Sequence, residues 1–242
     1  MNRRFISKLM LVVITLFSAT PLIALAQNSI VLSTHLTKGR YDYQVTFIVM
    51  EEAFKRIGFK LIINPMPGSR SLLQADEGKT DGDAHRIFDL IEKKGLKNLI
   101  RIPEVQQVIH DYAWSNKDLD LNNGWSDLSP YSVGVHLGTV FVPEQAKKHA
   151  KYVWPVNNTE QMFKMLVADR IDLVIATPSN AGILKSKTFR NSGIRRIEPP
   201  LTSLDIYTYL HKKHRDLVPR VAESLHNMKI DGTYLKLIQG IQ

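Results

Sequence analysis

Short apolar runs alternate with amphipathic segments along the sequence, and this alternation most constrains how the chain can fold. In the first third, SIVLST, FKLIINP and GKTDGDAHRI are predicted strands, while VTFIVMEEAFKRIG and SRSLLQADEG between them are predicted helices. Alternation of strand and helix in this way is typical of a parallel sheet covered by helices. The sequence therefore predicts an α/β fold.

A second set of predicted strands and helices follows the first. Two predicted strands, near Ile109–Asn116 and near Asp205–His211, separate the two sets and are expected to cross between them. We expect two lobes, each a small sheet flanked by helices, with a cleft between them and hinges at the crossing strands. Lobe 1 is predicted to comprise residues 27–110 and a return segment, 206–242, and lobe 2 residues 111–205.

The first 26 residues have the features of a secretory signal peptide. A basic start precedes an apolar run from Leu9 to Phe17, and Ala24-Leu25-Ala26 matches a cleavage site. The alternative is an uncleaved membrane anchor, but the run is far shorter than the roughly 20 residues that a membrane span requires. We therefore expect cleavage after Ala26 and export to the periplasm.

Composition narrows the classes of function. The chain has no cysteine, which excludes disulfides, thiolate metal sites and a thiol nucleophile. Its formal net charge is +9, and removal of the three basic residues of the predicted signal peptide leaves +6. Since an exported protein does not ordinarily meet nucleic acid, no nucleic-acid partner is expected. The charge instead favours anionic ligands or an acidic surface partner.

Signatures of catalysis and of metal binding are missing from the sequence. It contains no G-x-S-x-G, H-E-x-x-H, G-x-x-x-x-G-K-[ST] or G-x-G-x-x-G motif. His211 and His214 are three residues apart, but no third ligand accompanies them. No catalytic residue, metal or cofactor is predicted.

Two stretches contain candidate ligand-binding residues. Arg86 is predicted at the carboxyl end of the third strand, the end at which open α/β sheets bind ligands, and its guanidinium suits a carboxylate or phosphate. The alternative is a surface ion pair between Arg86 and Asp83 or Asp89. In GVHLGTVF, the amides from Thr139 to Phe141 precede a predicted helix and can hold an anion, although an ordinary strand-to-helix turn has the same pattern.

Five segments, in this order, resemble the bacterial extracellular solute-binding protein family 3. They are RSLLQADEGKTDGDAHRI, NLIRIPEV, YSVGVHLGT, MLVADRIDLVI and MKIDGTYLKLI. The resemblance implies the type 2 periplasmic binding protein fold. It also implies a monomer that binds a small molecule between its lobes and docks on a membrane permease, such as an ABC transporter, or on a membrane sensor.

The resemblance also implies a set of ligand-binding residues. The family's carboxylate-binding arginine corresponds to Arg86 and its Gly-Thr anion loop to Gly138 and Thr139. The other candidates lie around the same expected cleft: His35, Tyr41 or Tyr43, Arg70, Trp114, Val140 and Thr177. Two positions are open for Trp114, which either faces the cleft or packs against the hinge.

One departure from the family affects the expected ligand. Amino-acid binders of the family commonly carry an acid just after the strand IDLVI, where this chain has Thr177. A hydroxyl cannot replace a carboxylate as the counter-charge of a buried ammonium. We therefore expect a small anionic or polar metabolite rather than a standard α-amino acid.

A different class of function shares the fold. Some relatives that resemble the family are periplasmic dehydratases of cyclic carboxylic acids, and these require a general acid in the cleft. His35, Asp83 and His85 are the acid or base groups expected near it. Because fold alone does not establish catalysis, the protein is predicted to be a binding protein and not an enzyme.

Overall fold

This computed structural model describes residues 28–88, 90–137 and 141–241, which fold into a mixed α/β structure. The predicted signal peptide lies outside the described residues. The strands are β1 Ser29–Thr34, β2 Lys60–Pro65, β3 Gly82–Ile87, β4 Leu99–Arg101, β5 Gln107–Ser115, β6 Ser132–His136, β7 Tyr152–Val156, β8 Leu173–Ala176 and β9 Arg195–His211. The helices are α1 Tyr41–Arg56, α2 Gly68–Asp76, α3 Leu90–Lys93, α4 Phe141–His149, α5 Thr159–Val167, α6 Leu217–Ile230 and α7 Thr233–Gln239.

Lobe 1 is built on β1, which lies between β2 and β3 and runs parallel to both. Helix α1 has apolar residues at a spacing of four, so Val45, Val49 and Ala53 face one side and pack into the core. The same core includes residues of α6, such as Leu225. Helix α6 therefore packs on the same core as β1 and α1.

Helix α1 begins at Tyr41, whereas the sequence predicted a start near Val45. The first turn is polar, and Arg40 before it makes no side-chain capping bond, so the local sequence contains no start signal. As a result, Tyr41 and Tyr43 belong to the helix rather than to the preceding loop.

Lobe 2 is built on β6, which lies between β7 and β8 and runs parallel to both. Helix α5 is capped as predicted, because the Asn158 side chain accepts a hydrogen bond from the backbone N–H of Gln161 at 3.2 Å. The lobe has its own core, in which Val133, Leu173 and Ile175 are buried.

Two long strands connect the lobes. β5 and β9 run antiparallel, with a ladder from Gln107 opposite Ile206 to Ser115 opposite Arg195. β9 also pairs with β3 and β4 of lobe 1, and β5 pairs with β8 of lobe 2. The described strands thus form one sheet in the order β2-β1-β3-β9-β5-β8-β6-β7, with β4 on β9. The proposed lobe limits after residues 110 and 205 fall within this ladder.

Within the part of the chain that the structure describes, no helix is both long and apolar enough to cross a bilayer.

Candidate functional site

Arg86 is held at the carboxyl end of β3 by a buried ion pair. Its Nε and Nη2 donate hydrogen bonds to the two carboxylate oxygens of Asp83 at 2.9 and 2.8 Å, and Nη2 also donates to the Gly68 carbonyl at 3.3 Å. Asp83 is fully buried, and Arg86 is 6% exposed. The ion pair that the sequence left open as an alternative is therefore present, but it is buried rather than on the surface.

An irregularity in β3 makes this pair possible. Asp83 lies opposite Tyr209 and Arg86 opposite Tyr207, so three steps along β3 correspond to two along β9. In a regular strand, residues 83 and 86 would point to opposite faces, as the sequence predicted for a regular β3. The β-bulge cancels that alternation and lets the two side chains converge.

Further hydrogen bonds fix the Asp83 carboxylate. It accepts a bond from the Ser71 hydroxyl of α2 and one from the backbone N–H of His85 at 3.3 Å. Because Asp83 is already saturated with donors, it serves as the support of Arg86. The position 89 carboxylate, which was the other proposed partner, lies outside the described residues.

One nitrogen of the guanidinium remains available. The bonds to Asp83 and Gly68 use Nε and Nη2, and within the described residues Nη1 has no hydrogen-bond partner. Gly68 leaves room beside it, since a Cβ at that position would lie 3.9 Å from Nη1 and 3.5 Å from the Cβ of His35. His35, Gly68 and Arg86 therefore line one small region at the end of β1 and β3.

Two histidines adjoin the arginine, and their rings are 5.6 Å apart. Burial, followed by the charges of His35 and Arg86, lowers the pKa of His85 well below its usual value. His35 is accessible to solvent, yet enclosure by the surrounding protein, followed by the charge of Arg86, lowers its pKa to about 4. Both rings are therefore neutral at neutral pH.

A buried polar chain holds His85 in place. Its Nδ1 lies 2.9 Å from the Thr46 hydroxyl, which accepts a hydrogen bond from Gln106 Nε2 at 3.0 Å. Gln106 Oε1 in turn accepts from the Thr208 hydroxyl. The Thr46 hydroxyl has one hydrogen and two acceptor lone pairs, so its bond to Nδ1 fits either tautomer of the neutral ring.

The other predicted residues divide between the cleft and the cores. Tyr41 is 41% exposed, whereas Tyr43 is 8% exposed and packs in the core of lobe 1, stacked on Phe47. Trp114 donates from Nε1 to the carbonyl of Ala176 at 2.9 Å, so it packs the hinge side of lobe 2.

Arg70 is exposed in the first turn of α2. The Thr177 hydroxyl bonds to the Ser179 hydroxyl at 3.0 Å and accepts from the N–H of Asn180 at 3.2 Å. The anion loop predicted at Gly138, Thr139 and Val140 lies outside the described residues.

Two cavities lie between the lobes. The larger, of about 510 Å³, is bounded by Gly39–Asp42 of lobe 1 and by Asn157–Glu160 and Ser179–Asn180 of lobe 2, among others. Arg40 donates a hydrogen bond to Asn180 across it. The smaller, of about 410 Å³, lies beside the hinge. Arg86 lines neither cavity, so the arginine region and the cavities are separate parts of the interlobe surface.

The smaller cavity contains residues that the sequence analysis missed. Its lining includes Asp42, in the first turn of α1, and Gln107, which begins β5. Nearby Asp111 is 7% exposed, on the crossing strand β5. The acid within the predicted strand VIHDYAWSN was the available signal, because a charged residue in a strand is seldom buried without a partner.

Over the described ranges, no group of three or more histidine or acidic side chains is arranged to hold a metal ion. His214, which the sequence analysis singled out, instead places Nε2 2.7 Å from Asp81 Oδ1.

Comparisons of sequence give a limited result. No protein-family model matches the chain. A protein of Shewanella oneidensis, described as uncharacterized, is 26% identical over 214 residues, which cover 81% of this chain and 75% of that protein.

Comparisons of structure are more informative. The second substrate-binding domain assigned to an amino-acid ABC transporter of Streptococcus pneumoniae superimposes with a TM-score of 0.60, at 16% identity, over 88% of this chain and 99% of that domain. An ancestral amino-acid-binding protein, a precursor of cyclohexadienyl dehydratase, gives 0.62 at 18% identity over 88% and 95%. A histidine kinase sensor domain similar to periplasmic binding proteins gives 0.62 at 13% identity over 89% and 96%.

The chain has the fold of the type 2 periplasmic binding proteins. The fold expected from the sequence motifs is thus confirmed. In periplasmic binding proteins, hinge motion closes two lobes around a ligand. The crossing strands β5 and β9 are the hinge elements of this fold, and the region around His35, Gly68 and Arg86 lies at the carboxyl ends of lobe 1 strands.

Proposed function

We propose that the protein is a periplasmic solute-binding protein that closes its lobes on a small polar or anionic metabolite. The observation that carries this proposal is the guanidinium of Arg86, which Asp83 orients while Nη1 remains available. Preorganised donors bind a ligand acceptor without the entropic cost of ordering a free side chain. The ligand would then complete the site by contacts with lobe 2 and favour the closed state.

The electrostatics favour an acceptor on the ligand. The carboxylate of Asp83 balances the charge of Arg86, and the neighbouring rings of His35 and His85 are neutral. This region therefore offers hydrogen-bond donors with little net charge. A carboxylate, a carbonyl or a hydroxyl of a metabolite fits such donors.

Delivery to a membrane protein is the second part of the proposal. Solved structures with this fold include a substrate-binding domain assigned to a transporter and a sensor domain of a histidine kinase. We infer export to the periplasm as a monomer, followed by docking of the closed form on a permease or a sensor. The test is a screen for membrane proteins that bind the liganded form and not the free form. The identity of the captured protein then shows whether the partner is a permease or a sensor.

A thermal-shift screen of metabolites tests ligand binding, because a ligand that binds the native state raises the melting temperature. Calorimetry on a hit then compares the wild type with Arg86→Lys, which keeps the charge opposite Asp83 but removes the forked donors. We expect affinity to fall more than tenfold. Arg195→Lys, a substitution of the same kind in an exposed ion pair of lobe 2, serves as the control. Equal affinity in Arg86→Lys would exclude the proposed role of the guanidinium.

An enzyme on the same fold is the alternative function. The neutral, solvent-accessible ring of His35 beside Arg86 favours it, since such a group can exchange a proton with a bound carboxylic acid. The other two candidates, Asp83 and His85, are occupied by the contacts described above. Incubation with prephenate or arogenate, followed by product analysis of the wild type and of His35→Gln, tests this alternative. Turnover that persists in His35→Gln would show that this histidine does not carry out the proton transfer.

A further inference from the structure

Exposed aromatic rings and unpaired lysines lie together at one end of lobe 2. This end consists of residues 147–154, which include the last turn of α4 and the start of β7, and we call it the lobe 2 corner. Tyr152 is 62% exposed and Trp154 is 50% exposed. Large apolar groups that are exposed side by side are typical of a surface that binds a partner.

The geometry of β7 directs both rings away from the core. Val153, between them, packs on the core of lobe 2 that includes residues of α4. Since side chains alternate along a strand, Tyr152 and Trp154 point to the opposite face. The residues beside them on β6 are Ser132 and Gly134, which are small and leave both rings open to contact.

The cations of the lobe 2 corner are three lysines with exposed side chains, Lys147, Lys148 and Lys151. The Lys151 ammonium lies 5.7 Å from the centre of the Tyr152 ring. Among residues 28–88, 90–137 and 141–241, no group forms an ion pair or a hydrogen bond with any of the three ammonium groups. All three are therefore available to an external anion.

Few carboxylates offset these charges. The sequence from 145 to 159 contains no acid, and Glu144 of α4 forms no ion pair with a lysine in the described structure. Glu160 lies 2.8 Å from Lys164. Asp172, which binds the first residue of β6, lies 2.7 Å from Lys117. The lobe 2 corner therefore has a net positive charge.

The outer edge of β7 is poorly suited to pairing with another strand. β7 ends the sheet order, and the carbonyl of Val156 accepts a hydrogen bond from the N–H of Leu137 at 3.0 Å. Every second residue of β7 thus directs its backbone groups to β6, and Pro155 faces outward. Because proline has no N–H, this edge offers few donors to an added strand. A partner would instead contact the side chains.

We propose that the lobe 2 corner binds the surface of an anionic lipid bilayer. Indole and phenol rings favour the level of the lipid headgroups, and each lysine near an anionic surface strengthens binding about fivefold. A protein partner fits less well, because protein interfaces are enriched in arginine and depleted in lysine, and the cations of this surface are lysines.

The inference goes beyond the proposed function and does not depend on it. None of residues 147–154 lines either interlobe cavity. Binding at a bilayer surface would keep the protein close to the membrane partner proposed above.

Sedimentation with lipid vesicles tests the inference. Vesicles of phosphatidylcholine that contain about 30% phosphatidylglycerol are compared with vesicles of phosphatidylcholine alone. The protein is expected to sediment with the anionic vesicles only, and less as NaCl rises from about 0.05 to 0.5 M, because salt screens the attraction. If it sediments with neither kind of vesicle, or equally with both, the inference is wrong.

Two matched lysine variants locate the surface. Lys147→Gln/Lys148→Gln/Lys151→Gln is expected to bind anionic vesicles about 100-fold less tightly than the wild type. The control makes the same change in charge at three exposed lysines of lobe 1 and is expected to bind like the wild type: Lys93→Gln/Lys94→Gln/Lys97→Gln. Equal losses in the two variants would overturn the assignment, because net charge alone would then account for binding.

Tryptophan fluorescence tests whether the exposed ring enters the headgroup region. Trp154 is exposed, whereas Trp114 and Trp125 are partly enclosed. We expect anionic vesicles to shift the emission of the wild type to shorter wavelength and to leave the emission of Trp154→Phe unchanged. The same shift in both proteins would show that Trp154 does not contact the lipid, and the assignment would fail.

The thermal-shift response to metabolites separates this inference from the proposed function. Both lysine variants are expected to keep the wild-type response, because their lysines lie outside the interlobe cavities. If metabolites raise the melting temperature but anionic vesicles bind no protein, solute binding stands and the membrane surface fails. If vesicles bind as expected and no metabolite raises it, the membrane surface stands and solute binding fails.

Discussion

Replacing Asp83 with asparagine removes the counter-charge of a buried arginine. The substitution deletes the charge opposite Arg86 and turns one acceptor into an amide that faces a guanidinium donor. Removing one partner of a buried ion pair costs about 3 to 5 kcal/mol. Since the 6% exposure of Arg86 lets water reach part of the guanidinium, we expect the lower end, about 3 kcal/mol.

Urea unfolding followed by circular dichroism measures this loss. For a chain of this size, about 3 kcal/mol corresponds to a fall in melting temperature of about 6 to 12 °C. The double variant Asp83→Leu/Arg86→Met removes both charges and is expected to be more stable than Asp83→Asn alone. A loss below about 1 kcal/mol in Asp83→Asn would refute the reasoning that the pair is buried and coupled.

A matched control distinguishes burial from charge. Asp118 and Arg195 form the same kind of pair on the surface of lobe 2, where both side chains are exposed. Because water and salt screen such pairs, Asp118→Asn is expected to unfold at the same urea concentration as the wild type. If Asp83→Asn and Asp118→Asn lose the same stability, the loss reflects the change in net charge and not the burial of the pair.

Two further predictions concern the strands. Gly82→Ala is expected to destabilise the protein by about 3 kcal/mol, because a Cβ at that position would lie 2.0 Å from the Tyr209 carbonyl oxygen. Gly182 has open space around it, so the control Gly182→Ala is expected to leave thermal stability unchanged. Equal melting temperatures for the two variants would contradict this prediction. Partial burial opposes the shift at Asp172, but hydrogen bonds from Lys117 and from a neighbouring serine lower its pKa to about 2. Its contribution to stability is therefore present above about pH 4 and lost as the pH falls towards 2. When the free energy of unfolding is measured between pH 4 and pH 2, Asp172→Asn should lose less stability than the wild type. An equal loss of stability in the two proteins would contradict the role given to Asp172.

Much of the fold could be read from local patterns. The strands around SIVLST and FKLIINP, and the helix that Asn158 caps, occur where the residue spacing and the cap predicted them. These features depend on the alternation of apolar residues and on backbone geometry, both of which are local. The two-lobed arrangement followed from the order of the elements, and the structural comparisons confirmed it.

Other features depend on contacts that the local sequence does not contain. The start of α1 at Tyr41 has no capping signal, and the helix packs against α6 and α7, which are distant in sequence. β9 continues through Pro199 and Pro200, although prolines usually end a strand in the interior of a sheet. The bulge in β3 arises from its register against β9.

The candidate sites show the same division. The sequence by itself determined that Arg86 lies at the carboxyl end of a strand, because element order and strand polarity place it there. Only the tertiary structure decided that Asp83 neutralises this arginine and that Asp111 is nearly buried on the crossing strand β5. The energy of a charge depends on its burial and on its neighbours in space, and those neighbours come together only when the two lobes and their crossing strands are assembled.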